Sequence, residues 1–118
     1  MRVMLVDDQP PVLAVMAALV EETPGFEVVG GAASGEEAVT MAAKLLPDLV
    51  VMDVNLPGID GLEATRRILA RRPATVVLLV STYDVEAGPS LVAESGASAY
   101  VTKAAFGPDR LEGVWSGS

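Results

Sequence analysis

The hydrophobic and polar positions of this chain alternate between short apolar runs and longer stretches with helical spacing. Residues 49–52 form an unbroken apolar run, which is typical of a central parallel strand buried on both faces. Residues 3–6 and 76–80 have the same character, and residues 99–102 form a shorter run. In residues 26–30, Phe26, Val28 and Gly30 alternate with Glu27 and Val29, which predicts a half-exposed strand at an edge of the sheet.

The segments between these runs carry helical patterns with start and stop signals. Pro10-Pro11 can open a helix over residues 10–22, and Ser34 is a predicted N-cap for a helix reaching Leu45. Asp60 is the predicted N-cap of a third helix, which Pro73 closes. A weaker pattern covers residues 86–95, where Gly88-Pro89 interrupts it and leaves its start open, and residues 108–115 make the last helix, with Leu111, Val114 and Trp115 facing inward.

This order of elements is five strand–helix pairs in succession. Such alternation predicts an α/β fold, with a parallel sheet, right-handed crossovers and helices on both faces. The 118 residues are enough for one domain, expected over residues 1–115 with a flexible tail over residues 116–118. Because 51% of the residues are hydrophobic and only 4% are aromatic, the core is expected to be aliphatic.

Charge and composition narrow the possible functions. The net charge of -8 argues against direct binding of nucleic acid or of an anionic membrane. Since the chain has no cysteine and no histidine, disulfides, zinc sites and histidine bases are excluded. Residues 12–20 are shorter than the roughly 20 needed to cross a bilayer, and Asp7-Asp8 interrupts any signal-peptide core, so we expect a soluble, cytoplasmic protein.

Polar side chains follow four of the predicted strands at their carboxyl ends: Asp7-Asp8, Asp53, Ser81-Thr82 and Lys103. In an open parallel sheet these ends meet at one edge, where ligands bind. Each residue alone is more typical of a turn or of the surface. Together in this order they predict a site with three carboxylates, a hydroxyl and an amine.

Clustered carboxylates repel one another and favour a bound cation. With oxygen ligands only, Mg²⁺ is the expected metal, since it takes one or two carboxylates and keeps waters for a phosphate. Asp53 could then act as a nucleophile and form an acyl phosphate. Lys103 would neutralise one phosphoryl oxygen, and Ser81 would donate a hydrogen bond to another.

With these residues in place, the chain resembles the receiver domain of two-component response regulators from Val3 to Lys103. The resemblance rests on several motifs that occur together and in order. They are Asp7-Asp8, the block Pro-Asp-Leu-Val-Val-Met-Asp ending at Asp53, Leu56-Pro57-Gly58 with Asp60-Gly61, Ser81, and Gly96-Ala97-Ser98-Ala99-Tyr100 before Lys103.

The resemblance implies a flavodoxin-like doubly wound sheet with strand order 2-1-3-4-5 and assigns roles at the site. Asp53 would be the phosphoacceptor and a metal ligand. Asp8 would bind magnesium directly with Asp7 in support, and the backbone carbonyl of Asn55 would be a further ligand. Ser81 and Tyr100 are identified, again by resemblance, as the pair that switches a signalling face after phosphorylation.

Two positions depart from the family pattern, and a third residue, Tyr83, is the subject of a separate hypothesis. Thr82 stands where the family usually has a smaller residue, and could crowd the phosphoryl pocket. Ala104 follows Lys103 where many receivers have proline, so we expect no cis peptide there. Tyr83, two residues after Ser81, is hypothesised to overhang Asp53 and to hinder the water that would hydrolyse the acyl phosphate.

The resemblance implies a histidine kinase as the phosphodonor and no enzyme activity toward a separate substrate. An aspartate-based phosphohydrolase would need an acid two residues after its nucleophile, and Asn55 occupies that position. A receiver-like interaction module that works without phosphorylation stays as the alternative, favoured only by Thr82. The segment Gly30–Gly35 lacks the pattern of a nucleotide-binding loop.

Several segments resemble the receiver subgroup that precedes a helix-turn-helix DNA-binding domain. These are Val28-Val29-Gly30, Leu62-Glu63-Ala64-Thr65-Arg66-Arg67 and Gly96-Ala97-Ser98. The similarity implies control of transcription through an output domain, which is absent from this chain. A homodimer formed through the last helices or strand on phosphorylation is compatible with this expectation.

Overall fold

Five parallel strands form a single sheet in this computed structural model, in the order β2-β1-β3-β4-β5. The structure describes residues 1–82 and 87–117, with side chains up to Val114. The strands are β1 (Arg2–Val6), β2 (Glu27–Ala32), β3 (Leu49–Asp53), β4 (Val76–Ser81) and β5 (Ala99–Thr102). The helices are α1 (Pro10–Glu21), α2 (Gly35–Leu45), α3 (Gly61–Arg71), α4 (Gly88–Ser95) and α5 (Pro108–Gly117). The predicted α/β class and strand order are therefore confirmed.

The core consists of two apolar layers, one on each face of the sheet. Successive side chains of a strand point to opposite faces, so Val50 and Met52 of β3 pack with α2 and α3, whereas Leu49 and Val51 pack with α1 and α5. All five residues of β3 are buried, since the strand lies between β1 and β4. This two-sided burial explains the unbroken apolar run in its sequence.

The edge strand β2 extends further than its sequence pattern indicated. The pattern predicted an end at Gly30, but β2 continues to Ala32, whose carbonyl accepts a hydrogen bond from Asp7 N–H at 3.0 Å. Gly30 lets α2 approach closely, because a Cβ at this position would lie 2.7 Å from Leu45 Cδ1. The paired glycines therefore interrupt the apolar pattern without ending the strand.

The two predicted helix N-caps are present. Ser34 Oγ accepts a hydrogen bond from Glu37 N–H at 3.1 Å, and Asp60 Oδ1 accepts one from Glu63 N–H at 2.8 Å. Each satisfies a backbone donor that the first turn of a helix leaves unpaired. Both caps lie at the edge of the sheet where the polar strand ends were expected to meet.

Helix α4 begins at Gly88, with Pro89 in its first turn, so Gly88-Pro89 opens this helix instead of interrupting it. Proline is tolerated there because the first N–H groups of a helix have no partner within it. Gly96 ends the helix with a φ of +83°. Glu86, where the pattern placed the start, lies outside the described residues.

The segment after β5 contains an element that the sequence did not reveal. A short 3-10 helix, Lys103–Ala105, precedes α5, which extends to Gly117. Leu111 is fully buried and Val114 packs against the same layer, as predicted, whereas the Trp115 side chain lies outside the described residues. No peptide bond of the described chain is cis.

Helix α1 carries the most apolar sequence of the five, and its Val15 is 61% exposed. Even so, none of the helices in the described ranges is both long and apolar enough to cross a bilayer.

Because β4 is buried on both faces, we expect truncation of Leu79 to be costly. Leu79→Ala should lower the free energy of unfolding by about 3 to 5 kcal/mol through lost burial and a residual cavity. Leu46→Ala, the same change at a position that is 51% exposed, should cost less than about 1 kcal/mol. Urea unfolding of both variants tests the assignment, and equal losses would contradict it.

Candidate functional site

The carboxyl ends of β1, β3 and β4 and the segment after β5 bring their polar residues together. Lys103 Nζ lies 2.9 Å from Asp7 Oδ2 and 3.4 Å from Asp53 Oδ2. In sequence, Asp53 and Lys103 are separated by 50 positions. The sheet therefore joins two acids and an ammonium into one site, as their positions at strand ends predicted.

Asp53 occupies the last position of β3 and is 2% exposed. Its Oδ1 accepts a hydrogen bond from Asn55 N–H at 3.1 Å, and its Oδ2 accepts a longer one, of 3.4 Å, from Lys103 Nζ. Gly61 opens α3 directly against the backbone of Asp53, where any Cβ would overlap the Asp53 carbonyl. Both oxygens of the carboxylate are thus held by identified neighbours.

Asp7 is fully buried, while Asp8 is exposed. Asp7 Oδ1 accepts a hydrogen bond from Gln9 N–H at 2.9 Å. Among the described residues, none donates a hydrogen bond of ordinary geometry to Asp7 Oδ2, so its contact with Lys103 is an ion pair only. A buried carboxylate oxygen with spare acceptor capacity therefore faces the site.

The two acids and the lysine perturb one another. Burial raises the pKa of Asp53 above its ordinary value; the hydrogen bond from Asn55 lowers it, the charge of Asp7 raises it further, and Lys103 lowers it. Burial alone would lower the pKa of Lys103, but its contact with Asp7 and the charge of Asp53 outweigh burial and raise it. The site therefore holds more negative charge than one ammonium balances.

Asp7, Asp8 and Asp53 each offer an oxygen, and these oxygens lie within 4.8 Å of one another. Hard oxygen donors at this spacing suit a divalent cation such as Mg²⁺. In addition, Asp7 Oδ2 has no hydrogen-bond donor among the described residues. The residues present therefore fit a hard metal ion. Asn55, whose carbonyl was expected to join them, is exposed and lies two positions after Asp53.

Ser81 and Tyr100 lie beyond the acids on the α4 side of the sheet. Ser81 ends β4 and is 6% exposed. Tyr100 pairs with Leu79 across the β4–β5 ladder, so strand alternation puts Ser81 on the same face as that pair. Tyr100 is half-buried and, with α4, lines a cavity of about 340 Å³. Thr82 is exposed, and Tyr83 lies outside the described residues.

Residues 3–114 match the family model of the response regulator receiver domain. This chain belongs to the response regulator receiver domain family. The match covers the residues of the site and all five strands except Arg2, the first residue of β1. The resemblance that the sequence motifs indicated is thereby confirmed.

Individual relatives agree with this assignment. The receiver domain is 41% identical to response regulator GacA of Pseudomonas viridiflava, covering 88% of this chain and 49% of that protein. It is 38% identical to protein-glutamate methylesterase/protein-glutamine glutaminase 2 of Methanospirillum hungatei JF-1, covering 96% of this chain and 33% of that protein. The chain thus spans half or less of the length of these relatives.

Solved structures show the same fold. A LuxR-family two-component response regulator from Aurantimonas sp. SI85-9A1 superposes with a TM-score of 0.84 at 41% identity, covering 94% of this chain and 79% of that one. The response regulator domain of Thermotoga maritima CheB gives a TM-score of 0.87 at 29% identity, covering 98% and 93%. GacA and the LuxR-family regulator agree with the expected subgroup.

One residue of this receiver domain makes a long-range contact that the sequence analysis did not predict. Glu36, in the first turn of α2, accepts a hydrogen bond from Ile59 N–H at 3.2 Å, across 23 positions of sequence. The sequence carried no signal for this contact, because periodicity reports which face of an element is buried and not which loop it meets.

Because the pKa of Asp53 is raised, folding disfavours its ionised form, and the resulting loss of stability appears as the pH rises through that pKa. Asp53→Asn keeps an acceptor for Asn55 and removes the charge. We therefore expect it to gain roughly 0.5 to 2 kcal/mol of stability at neutral pH in a chelator, and less at acid pH. Urea unfolding measures this change.

The charge-matched control is Asp109→Asn, at an exposed position of α5. It should bring no gain, since its carboxylate is not buried. A gain for Asp53→Asn that stayed constant from acid to neutral pH would contradict the assigned cause.

Proposed function

We propose that this receiver domain accepts a phosphoryl group from a histidine kinase onto Asp53. The observation that carries the proposal is the buried Asp53 carboxylate at the end of β3, with Lys103 Nζ 3.4 Å from its Oδ2 and Asp7 on the other side of the ammonium. A carboxylate at the carboxyl end of a parallel strand, paired with a cation and next to the loops where ligands bind, suits a nucleophile.

In the reaction, a carboxylate oxygen of Asp53 attacks the phosphorus of the kinase's phosphohistidine. The phosphorus–nitrogen bond breaks, its electron pair stays on the imidazole, and an acyl phosphate forms. Lys103 then turns from the carboxylate to a phosphoryl oxygen, where its charge stabilises the developing negative charge. Its pairing with Asp7, at 2.9 Å, keeps the ammonium beside the reacting atoms before and after transfer.

Asp7, Asp8, Asp53 and the backbone carbonyl of Asn55 are the proposed ligands of Mg²⁺. The bound ion would supply positive charge that offsets both the acid cluster and the incoming phosphoryl group. The spacing of the carboxylates and the unsatisfied Asp7 Oδ2 support this assignment.

Ser81 and Tyr100 are proposed to relay the change of charge to the surface. A phosphoryl group adds about -1.5 to -2 charges. Ser81 would donate a hydrogen bond to one of its oxygens, and Tyr100 would move inward behind it on the same face. In a longer protein, the altered face would control transcription through a DNA-binding part and could form a homodimer; the likeness to GacA and to a LuxR-family regulator supports this output.

Two other functions, an enzyme and an interaction module that works without phosphorylation, have weaker support. The methylesterase relative matches this chain over 33% of its own length, and the matched residues are those of the receiver family, so the match gives no support for methylesterase activity in this chain. The module without phosphorylation depended on Thr82, which is exposed and does not fill the buried part of the site.

Acetyl phosphate with Mg²⁺ should give one phosphoryl adduct in the intact mass of the wild-type chain. Asp53→Ala should abolish the adduct, because it removes the nucleophile. Lys44→Ala, which removes an exposed lysine of α2, should leave it unchanged. A wild-type chain without an adduct would support the passive module, and release of phosphate from many unrelated esters would support an enzyme.

Lys103→Ala should slow formation of the adduct by roughly 100-fold or more, since one charge-stabilising donor is worth that much in comparable sites. The variant also leaves Asp7 and Asp53 buried without their cation, so its folding is checked by circular dichroism before rates are compared. A folded Lys103→Ala variant that reacts at the wild-type rate would remove this lysine from the mechanism.

A further inference from the structure

The loop between β3 and α3 is fastened to the start of α2 through Glu36. The Glu36 carboxylate accepts a hydrogen bond from Ile59 N–H at 3.2 Å. It also lies against the backbone of Gly58, where a Cβ would come within 2.6 Å of Glu36 Oε1. Beside it, Gly35 packs so closely on Ile59 that a Cβ there would lie 2.5 Å from Ile59 Cγ1.

Little else in the loop is anchored by burial. Within residues 55–60, Leu56 and Ile59 are half-buried and pack against the core, while the other four residues are exposed. Apolar packing therefore holds only part of the loop. The ends of the loop are fixed, because Gly61 N–H donates to the Val54 carbonyl at 2.9 Å and Asn55 N–H donates to Asp53 Oδ1 at 3.1 Å. Glu36 fastens the middle of the same loop, four positions beyond Asn55.

The position of this loop is therefore coupled to that of the reactive carboxylate. Asn55 is at once the donor to Asp53 Oδ1 and the residue whose carbonyl is assigned to the cation. A shift of Gly58 or Ile59 moves the peptide of Asn55, since the loop between them is short. Groups that orient ligands in this way typically affect metal affinity tenfold or more, even though they do not touch the ion.

We propose that Glu36 is a positioning residue of the phosphorylation site: by holding Gly58 and Ile59 it keeps the Asn55 peptide in place for cation binding and phosphoryl transfer. The inference rests on the function proposed above. Gly58 is required for this contact, because its φ of +73° and its missing side chain allow the Glu36 carboxylate to approach the loop.

Glu37 is the natural comparison. It is adjacent, carries the same charge and is exposed like Glu36. Its hydrogen bonds to described residues lie at the start of α2: its N–H donates to Ser34 Oγ at 3.1 Å, and its Oε1 accepts from Ala33 N–H at 2.9 Å. Glu37→Ala therefore changes the net charge by the same amount and weakens the start of the same helix. It leaves the contacts to Gly58 and Ile59 unchanged.

The conservative variant Glu36→Gln separates the hydrogen bond from the charge. The amide oxygen of Gln can still accept from Ile59 N–H, whereas Glu36→Ala removes the acceptor. Rescue by Gln would show that the contact itself acts on the site. Loss in both variants would show that only the negative charge matters.

The experiment measures Mg²⁺ affinity by isothermal titration calorimetry, amide hydrogen exchange at Asn55 and Ile59, and the rate of adduct formation with acetyl phosphate. We expect Glu36→Ala to weaken Mg²⁺ binding roughly tenfold and to speed exchange at both amides. Glu36→Gln should stay within about twofold of wild type in affinity. Glu37→Ala should lower stability to urea while keeping Mg²⁺ affinity and exchange at Ile59.

Three results would overturn the proposal: unchanged affinity in Glu36→Ala, an equal loss in Glu37→Ala, or an equal loss in Glu36→Gln. The function on which it rests fails in a different way. If wild type neither binds Mg²⁺ nor forms the adduct, the phosphorylation site itself is rejected, whereas a functional wild type with an indifferent Glu36→Ala rejects the role of Glu36 alone.

Discussion

Two buried carboxylates that share one ammonium are the constraint around which this structure is arranged. Asp7 and Asp53 are both almost fully buried, and Lys103 Nζ contacts each of them. Like charges about 4 Å apart repel by roughly 4 kcal/mol at an effective dielectric of 20, so the cluster is stable only while a cation is held beside it. The same excess of negative charge makes the cluster suited to a further cation.

The sheet brings these three charged groups together. Each of the three charged groups is attached to a strand end or to the residue after it, and the strands are fixed by a two-layer aliphatic core. Asp53 is held most firmly, since β3 is buried throughout and paired on both sides. The positions of Asp7 and Asp53 are therefore set by the sheet. The loop after β3 lies outside the sheet and is held by the hydrogen bond from Ile59 N–H to Glu36.

Much of this could be predicted from the sequence, because apolar runs and their spacing report burial directly. The run before Asp53 predicted both the central strand and the acid at its end, and four polar strand ends predicted the site. What could not be predicted depends on contacts between distant segments. Nothing in a strand pattern says that Asp7 is buried while the adjacent Asp8 is exposed, and nothing in a helix pattern links Glu36 to Ile59. Two glycines were misinterpreted for the same reason. Gly30 continues a strand and Gly88 opens a helix, because at each position the missing side chain lets a neighbouring side chain approach closely.

The ladder between β3 and β4 also limits how this chain can change in evolution. Asp53 is paired with Val80, and Val54 N–H donates to the Val80 carbonyl at 2.9 Å, so regular pairing continues up to Asp53. Since neighbouring side chains of a strand face opposite ways, sliding β3 by a single position would turn an apolar residue toward Lys103 and move the acid to the opposite face of the sheet. Insertions or deletions inside these two strands would thus separate Asp53 from Lys103 even if the core repacked. Changes of length are better tolerated in exposed connecting loops than in these strands.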